Sequence, residues 1–522
     1  MSFFPVKAPR LSVPFSGPAA WSAVTVCCAL LLLGAGCAEP PEDLPADADA
    51  PAVEAAAEAP TAQELAALVE RSLEGSQVQV NADTLLDVIG ARVSALPSGD
   101  SAEAFVERRL EAYAVPRVWR ESFPFLAWDR RDASLEAVRP EGGVEGELSI
   151  LSLGHVGSYE VEAPLVDAGY GTAEEIEALG DRVEGAIVLA DVGAPEGYGR
   201  GVHRTEKVTL ATEAGAVGFI QLNTQEGPRI PVGVATLGDE ETEIPAVAAD
   251  QASGQALRGA LAGQQPVVVR LSVDNWMERA EADNVLGEIP GQSDEIILVG
   301  AHLDSWDLAQ GAVDNGSGTL AVLDLARALA EHVEATGEVP YRTIRFAFWM
   351  GEELGLYGSR HYVETRLDDD RIQRYAAILN LDVVGEPVGL GAMGRPDAEP
   401  FLQPVLAGVA QAGIDLDEAV GTGGGIYSDH QPFLMQGVPV LTVRSQQRAE
   451  AAGVGHTIDD TRDVIDEPGI ARSAAVSAAL LWAAANAPDL ELERWSEEEI
   501  GRRLEELGVR DPLERAGEWR WP

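Results

Sequence analysis

The sequence predicts an α/β chain: a mostly parallel, doubly wound sheet with helices on both faces, interrupted by a β-rich insert. Three observations carry that reading. The runs EIILVGAH, TIRFAFWM, AAILNLDVV and VPVLTVR are continuously apolar, as strands buried on both faces must be. Helical stretches at Gly318–Val333, Ala398–Ala412 and Ile470–Asn486 separate or follow them, the alternation that builds a parallel sheet. Between His155 and Asp274 the rhythm changes to short β-runs (APLVDAG, GAIVLADVG, VGFIQLN, IPAVAAD, PVVVRLSVD) with one helical stretch, Lys207–Ala214. That segment reads as an inserted module. No solenoid period is visible.

Taken in order, the chain opens with Lys7 and Arg10 ahead of an uncharged apolar run, Ala23–Gly36. The run is shorter than the ~20 residues that span a bilayer and fits the core of a secretory signal. Gly34-Ala35-Gly36 before Cys37 resembles a bacterial lipoprotein processing site. Residues 1–36 are therefore read as a signal peptide. The expected destination is the periplasm or outer membrane as a lipoprotein, or the medium as a secreted protein. A lipid on Cys37 is the membrane contact the sequence offers. Residues 37–60, rich in Pro, Ala and acid, read as a flexible tether. Leu65, Leu68 and Val69 have helical spacing, and Leu85-Leu86, Ile89 and Val93 repeat it. Pro97-Ser98-Gly99-Asp100 is read as the break that ends this second helix, with Ser101 capping the next. Val118–Phe125, Ala133–Val138 and Glu147–Leu153 read as strands. The domain reading is thus residues 61–154 and 275–488 for the main α/β body, 155–274 for the insert and 489–522 for a helical tail carrying SEEEIGRRLEELG.

Composition narrows the function. The chain has 522 residues with 37 Lys+Arg against 86 Asp+Glu, a net charge of −49. A surface that negative repels phosphate backbones and anionic lipid, so nucleic-acid binding is excluded from the reading. The three cysteines are Cys27, Cys28 and Cys37. No thiolate metal site or disulfide can form beyond them, so any metal must use His, Asp and Glu.

Open α/β sheets bind ligands beyond the carboxyl ends of their strands. There the sequence places His302 and Asp304, then Asp314 in a Gly-rich turn, Glu352-Glu353, Asp382, Ser428-Asp429-His430 and His456. Imidazoles and carboxylates without sulfur suit zinc with hard partners. Asp304, two residues from His302, can orient its imidazole. Adjacent side chains at a strand end diverge, so one of Glu352 and Glu353 can hold metal while the other serves as general base. Singly, each has a plainer reading: a packed histidine, an acid at a helix start, a turn cap. His155, His203, His332 and His361 stand apart from the cluster and read as packing or surface residues.

The stretches HLDSWDLAQGAVDNGSG, FWMGEELGLYGSRHY, LNLDVVG, YSDHQPF and GHTIDDT together resemble the co-catalytic dizinc exopeptidase family. That family includes bacterial leucyl aminopeptidases, glutamate carboxypeptidases and carboxypeptidase Q, and the first stretch is most similar to the carboxypeptidase Q branch. The motifs cover Ala301–Asp463. Val161–Val273 resembles the protease-associated domain. The resemblance implies two zinc ions per chain, with Asp314 bridging both. His302 and Asp382 would complete one site, Glu353 and His456 the other. Glu352 would be the general base and Asp304 the residue that orients His302. It further implies hydrolysis of short peptides by a hydroxide shared between the metals. Some relatives place Tyr before the last His, where this chain has Gly455; Tyr427 and His430 are the candidates to take its part. Arg444 is a candidate for a substrate carboxylate, with a structural ion pair as its alternative. A homodimer is compatible with the sequence. The rival readings are a glutaminyl cyclase-type zinc enzyme and a non-catalytic binding protein of the transferrin-receptor type.

Overall fold

The computed structural model of the chain describes residues 59–139, 144, 148–237, 239–263, 265–490 and 492–522. The segment read as a signal peptide, Cys37, and the segment read as a tether up to residue 58 lie outside these residues. In chain order the strands are β1 Arg117–Arg139, β2 Ile150–Ser152, β3 Tyr159–Asp167, β4 Ile187–Asp191, β5 Gly218–Leu222, β6 Ala246–Ala249 and β7 Val268–Ile289. Then come β8 Ile296–His302, β9 Thr343–Trp349, β10 Tyr375–Asn380, β11 Glu386–Ala392, β12 Asp417–Gly421 and β13 Val440–Gln446. The helices are α1 Ala62–Glu74, α2 Val78–Thr84, α3 Pro97–Ala112, α4 Ala173–Leu179, α5 Arg204–Glu213, α6 Gln251–Leu261 and α7 Ser317–Thr336. They continue with α8 Tyr357–Leu367, α9 Glu399–Gln411, α10 Gln431–Leu434, α11 Glu467–Asn486, α12 Glu497–Glu506 and α13 Arg510–Arg515.

The main sheet is mixed, in the order β12-β11-β13-β10-β8-β9-β7, with β1 beside β7. Its centre, β13-β10-β8-β9, is parallel. Antiparallel β11 and β7 flank that centre. The four apolar runs are those central strands, and each feeds both layers of packing. On β8, Ile297 and Val299 enter one core with α1, α7, α9 and α11, while Ile296 and Leu298 enter a second. That alternation is the period of two that a strand imposes. The second core is closed by Phe433, Trp495, Ile500, Leu504, Leu513 and Trp521. The C-terminal tail is therefore integral to the far face of the sheet. α11 is long and apolar enough to cross a membrane, but it is a buried core helix packed on α7 and α1.

The insert has its own sheet, with β3, β4, β5 and β6 parallel and β2 antiparallel on β6, and its own hydrophobic core. The two sheets are joined by one long ribbon. β1 and β7 pair antiparallel from Arg117↔Glu288 to Asp129↔Trp276, shift register, resume from Asp132↔Asp274 to Ala137↔Val269, and shift once more before Arg139↔Val268. The near half of β7 pairs with β9 and the far half with β3.

Two readings of the sequence are corrected here. The boundary at 154/155 falls too late, because the chain enters the insert's sheet near Asp132 along an uninterrupted strand. Two apolar patches separated by Asp129-Arg130-Arg131-Asp132 read as two strands, whereas that charged stretch carries the register shift between the sheets. Pro97 does not break a helix but starts α3, in the first turn where a missing N–H costs nothing. Ser101 sits inside α3, its Oγ donating to the Pro97 carbonyl oxygen at 2.6 Å.

Candidate metal centre

The parallel strands end on one edge, and the loops leaving them converge there. His302 is the last residue of β8. Glu352-Glu353 follow β9 and Asp382 follows β10, while Asp314 precedes α7 and His456 lies in the loop after β13. The structure gathers all six around one cleft of about 200 Å³.

Asp314 lies between the two imidazoles. Its Oδ1 is 3.1 Å from His302 Nε2 and its Oδ2 is 3.1 Å from His456 Nε2. Asp382 Oδ1 stands 3.4 Å from His302 Nε2, and Glu353 Oε2 stands 3.0 Å from His456 Nε2. Two half-sites thus share one carboxylate. Burial opposes charge on His302, Asp314, Glu352, Glu353 and His456, yet mutual attraction overrides it for three of them. Asp314 is held well below the usual carboxylate range by the two imidazoles. Glu352, Asp382 and Asp314 hold His302 well above its ordinary value, and Glu353 and Asp314 push His456 up to about 10. Glu352 and Glu353 go the other way: burial, with the neighbouring carboxylates, raises both.

The supports are built from loops and backbone. His302 Nδ1 donates to the Asp304 carbonyl oxygen at 3.1 Å. The Asp304 carboxylate is 3.8 Å from that nitrogen and instead accepts the backbone N–H groups of Glu352 and Glu353, at 3.2 and 3.3 Å. Asp304 therefore orients His302 through its main chain, and its carboxylate fixes the Glu-Glu pair. Asp460 accepts the N–H groups of Val313 and Asp314, at 2.6 and 3.1 Å. Ser428 donates to Asp382 Oδ2 at 2.6 Å, and Trp306 Nε1 donates to Glu353 Oε2 at 2.6 Å. Arg92, fully buried, ties the loop between His302 and Asp314 by donating to the carbonyl oxygens of Leu303, Gln310 and Gly311.

The donor set fits a metal. Glu353 Oε1 and Asp382 Oδ1 are buried with no hydrogen-bond partner, an expensive arrangement unless a cation satisfies them. Donor atoms of His302, Asp314 and Glu353 lie within 4.8 Å of one another, as do those of His302, Glu352 and Asp382. Four carboxylates against two imidazoles leave negative charge for divalent cations to neutralise, and nitrogen and oxygen donors without sulfur suit zinc.

The remaining candidates separate. Tyr427 lines the cleft, in the left-handed region at φ 70°, with its N–H donating to Gln431 Oε1 at 2.9 Å. His430 is buried behind it, bonded to the Gly425 carbonyl oxygen at 3.0 Å, and does not line the cleft. Arg444 lies away from the cleft, on β13 against the Asp417 carboxylate and the Ala419 carbonyl oxygen; it is a structural ion-pair partner. Sequence reasoning missed the insert's part of the wall: His203, Arg204, Val234 and Leu237 line the cleft. His203 stacks on Tyr427 with ring centroids 4.5 Å apart and planes 15° from parallel. No local motif marks these residues, because only the docking of the insert brings them there.

The chain is similar to known proteins in both of its parts. Residues 284–481 match the family described as "Peptidase family M28", and residues 161–257 match the "PA domain". An aminopeptidase of Pseudomonas aeruginosa is 30% identical over 334 residues, which cover 61% of this chain and 59% of that protein. The chain thus spans about three fifths of that relative. The crystal structure of a peptidase M28 precursor from Shewanella amazonensis shares the fold with a TM-score of 0.67 at 24% identity, over 82% of this chain and 97% of that one. A zinc aminopeptidase from Bacillus subtilis does so with a TM-score of 0.58 at 22% identity, over 82% and 96%. Residues 284–481 of this chain are thus similar to peptidase family M28, and residues 161–257, set into the fold ahead of them, to the PA domain.

Proposed function

We propose that the chain is an exported zinc-dependent exopeptidase that hydrolyses peptide bonds of short peptides, aminopeptidase-like or of the carboxypeptidase Q type. One observation carries the reading: the Asp314 carboxylate spans two imidazoles, with Glu353 and Asp382 completing the two sides and Glu352 beside them. In this reading His302, Asp382 and Asp314 would hold one zinc ion, and Asp314, Glu353 and His456 would hold a second. Zinc, when bound, supplies Lewis acidity toward a peptide carbonyl and makes water more acidic.

The protein's own residues do the rest. Glu352 takes a proton from the attacking water at its carboxylate and returns it to the leaving amine nitrogen. A carboxylate whose proton affinity is already raised by burial is suited to both steps. Asp304 holds Glu352 in reach through its backbone N–H. Tyr427, stacked on His203 in the wall of the cleft, is the donor candidate for the developing oxyanion. The insert lines one wall of the cleft with His203, Arg204, Val234 and Leu237.

The test is a panel of aminoacyl-nitroanilides, N-blocked dipeptides and N-terminal glutaminyl peptides, assayed with and without zinc after chelation. The expected result is zinc-restored cleavage of the first or the second class, which also identifies the end that is read. Ring closure of glutaminyl peptides without hydrolysis, or no turnover with zinc bound, overturns the proposal.

A further inference from the structure

We infer that the inserted domain is a structural part of the metal centre: its segment Arg229–Ala235 holds His456, so zinc binding and docking of the insert are one linked equilibrium. The inference rests on the assignment of His456 as a ligand in the proposed function.

His456 stands in the left-handed region, at φ 62°, in a loop outside any helix or strand. Its backbone and its ring are both tied to the insert. Val232 N–H donates to the His456 carbonyl oxygen at 3.1 Å, and His456 Nδ1 donates to the Val232 carbonyl oxygen at 3.2 Å. Three residues on, Asp459 pairs with Arg229 at 2.5 Å. The second of these contacts decides the chemistry. A carbonyl oxygen can only accept, so Nδ1 carries the proton and Nε2 is left facing Asp314 and Glu353. A partner on the far nitrogen fixes both tautomer and ring orientation of a ligating imidazole. Here that partner belongs to a different domain.

The segment is itself anchored to the insert. Gln221 Nε2 donates to the Pro231 carbonyl oxygen at 3.1 Å, and Asn223 Nδ2 to that of Arg229 at 2.9 Å. Arg204 Nε donates to the Val234 carbonyl oxygen at 3.1 Å. Gly233 has φ 144°, and a Cβ there would stand 1.7 Å from Arg204 Cζ, so only glycine lets the guanidinium lie against the chain. Val232 and Val234 are buried not in the insert's core but in the main core of the catalytic body. The segment is thus a plug, fixed at its root to one domain and seated in the other against a ligand. Linkage is reciprocal: whatever factor docking adds to zinc affinity, zinc adds to docking.

The test compares the intact, zinc-stripped protein with the same protein titrated with zinc, by hydrogen exchange and mass spectrometry. The expected result is that amides in 229–235 exchange tenfold slower or more once zinc is bound, while β3 and β4 at the far side of the insert change little. Equal slowing everywhere, or no change in 229–235, overturns the inference. Chelator competition supplies a second readout. R229Q is expected to weaken one of two zinc equivalents threefold or more and leave the other unmoved, with R229K restoring it. If both equivalents weaken alike, or neither does, the inference fails. Protein that binds zinc and cleaves peptides while 229–235 ignores the metal defeats this inference alone. Protein that binds no zinc defeats the functional reading as well.

Discussion

At the scale of single residues, Glu352 and Glu353 show how neighbours in sequence come to differ. Glu353 is committed on one oxygen to His456 and Trp306, while Glu352 is part-exposed to the cleft. Glu352→Gln keeps the shape and removes the proton acceptor. The expected outcome is a fall in kcat of about 10²–10⁴-fold, the usual worth of a general base, with zinc content unchanged. Zinc loss from that variant, or near-normal turnover, removes Glu352 from the role. Arg92 matters for a different reason. Its guanidinium donates to four carbonyl oxygens, those of Gly90, Leu303, Gln310 and Gly311, and burial lowers its pKa to about 10. Arg92→Met leaves those acceptors unpaired, so urea denaturation is expected to show a loss of about 3–5 kcal/mol. A variant within 1 kcal/mol of the parent would show that water replaces the guanidinium. The residues legible in the sequence were those whose chemistry announces itself at the end of an apolar run: His302, Asp314, Glu352, Glu353, Asp382 and His456. Arg92, His203 and Arg204 were not legible. They act on backbone carbonyls or across domains, and neither relation leaves a spacing to read.

At the scale of elements, α3 packs on β1 and β7 through a charged seam. Glu103 accepts from Asp283 N–H at 3.2 Å and pairs with Arg120 at 3.0 Å, while Arg120 also reaches Glu107 at 2.8 Å. Burial, with the Asp283 carboxylate nearby, pushes Glu103 up to about 7. The folded protein then binds a proton more tightly than the unfolded chain, whose glutamates titrate near 4.5. Stability from this group is full below about pH 4.5 and is lost as pH rises through 7. The Glu103→Gln variant should lack that slope. Urea midpoints between pH 4.5 and 8 should fall more steeply for the parent, by on the order of 3 kcal/mol across the window; parallel curves would show that Glu103 ionises normally. The strong central strands were readable because burial on both faces forces continuous apolar runs. β11 and β12 escaped the reading, being short and rich in Gly and Pro, without such a run. The Pro97 error has the same root: a proline reads as punctuation until its place in the helix is known.

At the scale of the whole molecule, the charge of −49 makes the folded state repel itself. Raising NaCl from 10 mM to 0.5 M cuts the screening length from about 30 Å to under 10 Å. The Tm of the zinc-stripped protein should therefore rise by a few degrees, read by calorimetry. A flat or falling Tm would mean that the many arginine–carboxylate pairs outweigh the net repulsion. The β1–β7 ribbon has a different kind of consequence. Because the same two strands serve both sheets, the roof over the cleft stays tethered to the body by a paired ribbon whether or not segment 229–235 is seated. A chimera maker wishing to exchange the roof must therefore splice both strands together, for instance at the irregular step between Asp129 and Asp132 opposite Asp274–Trp276.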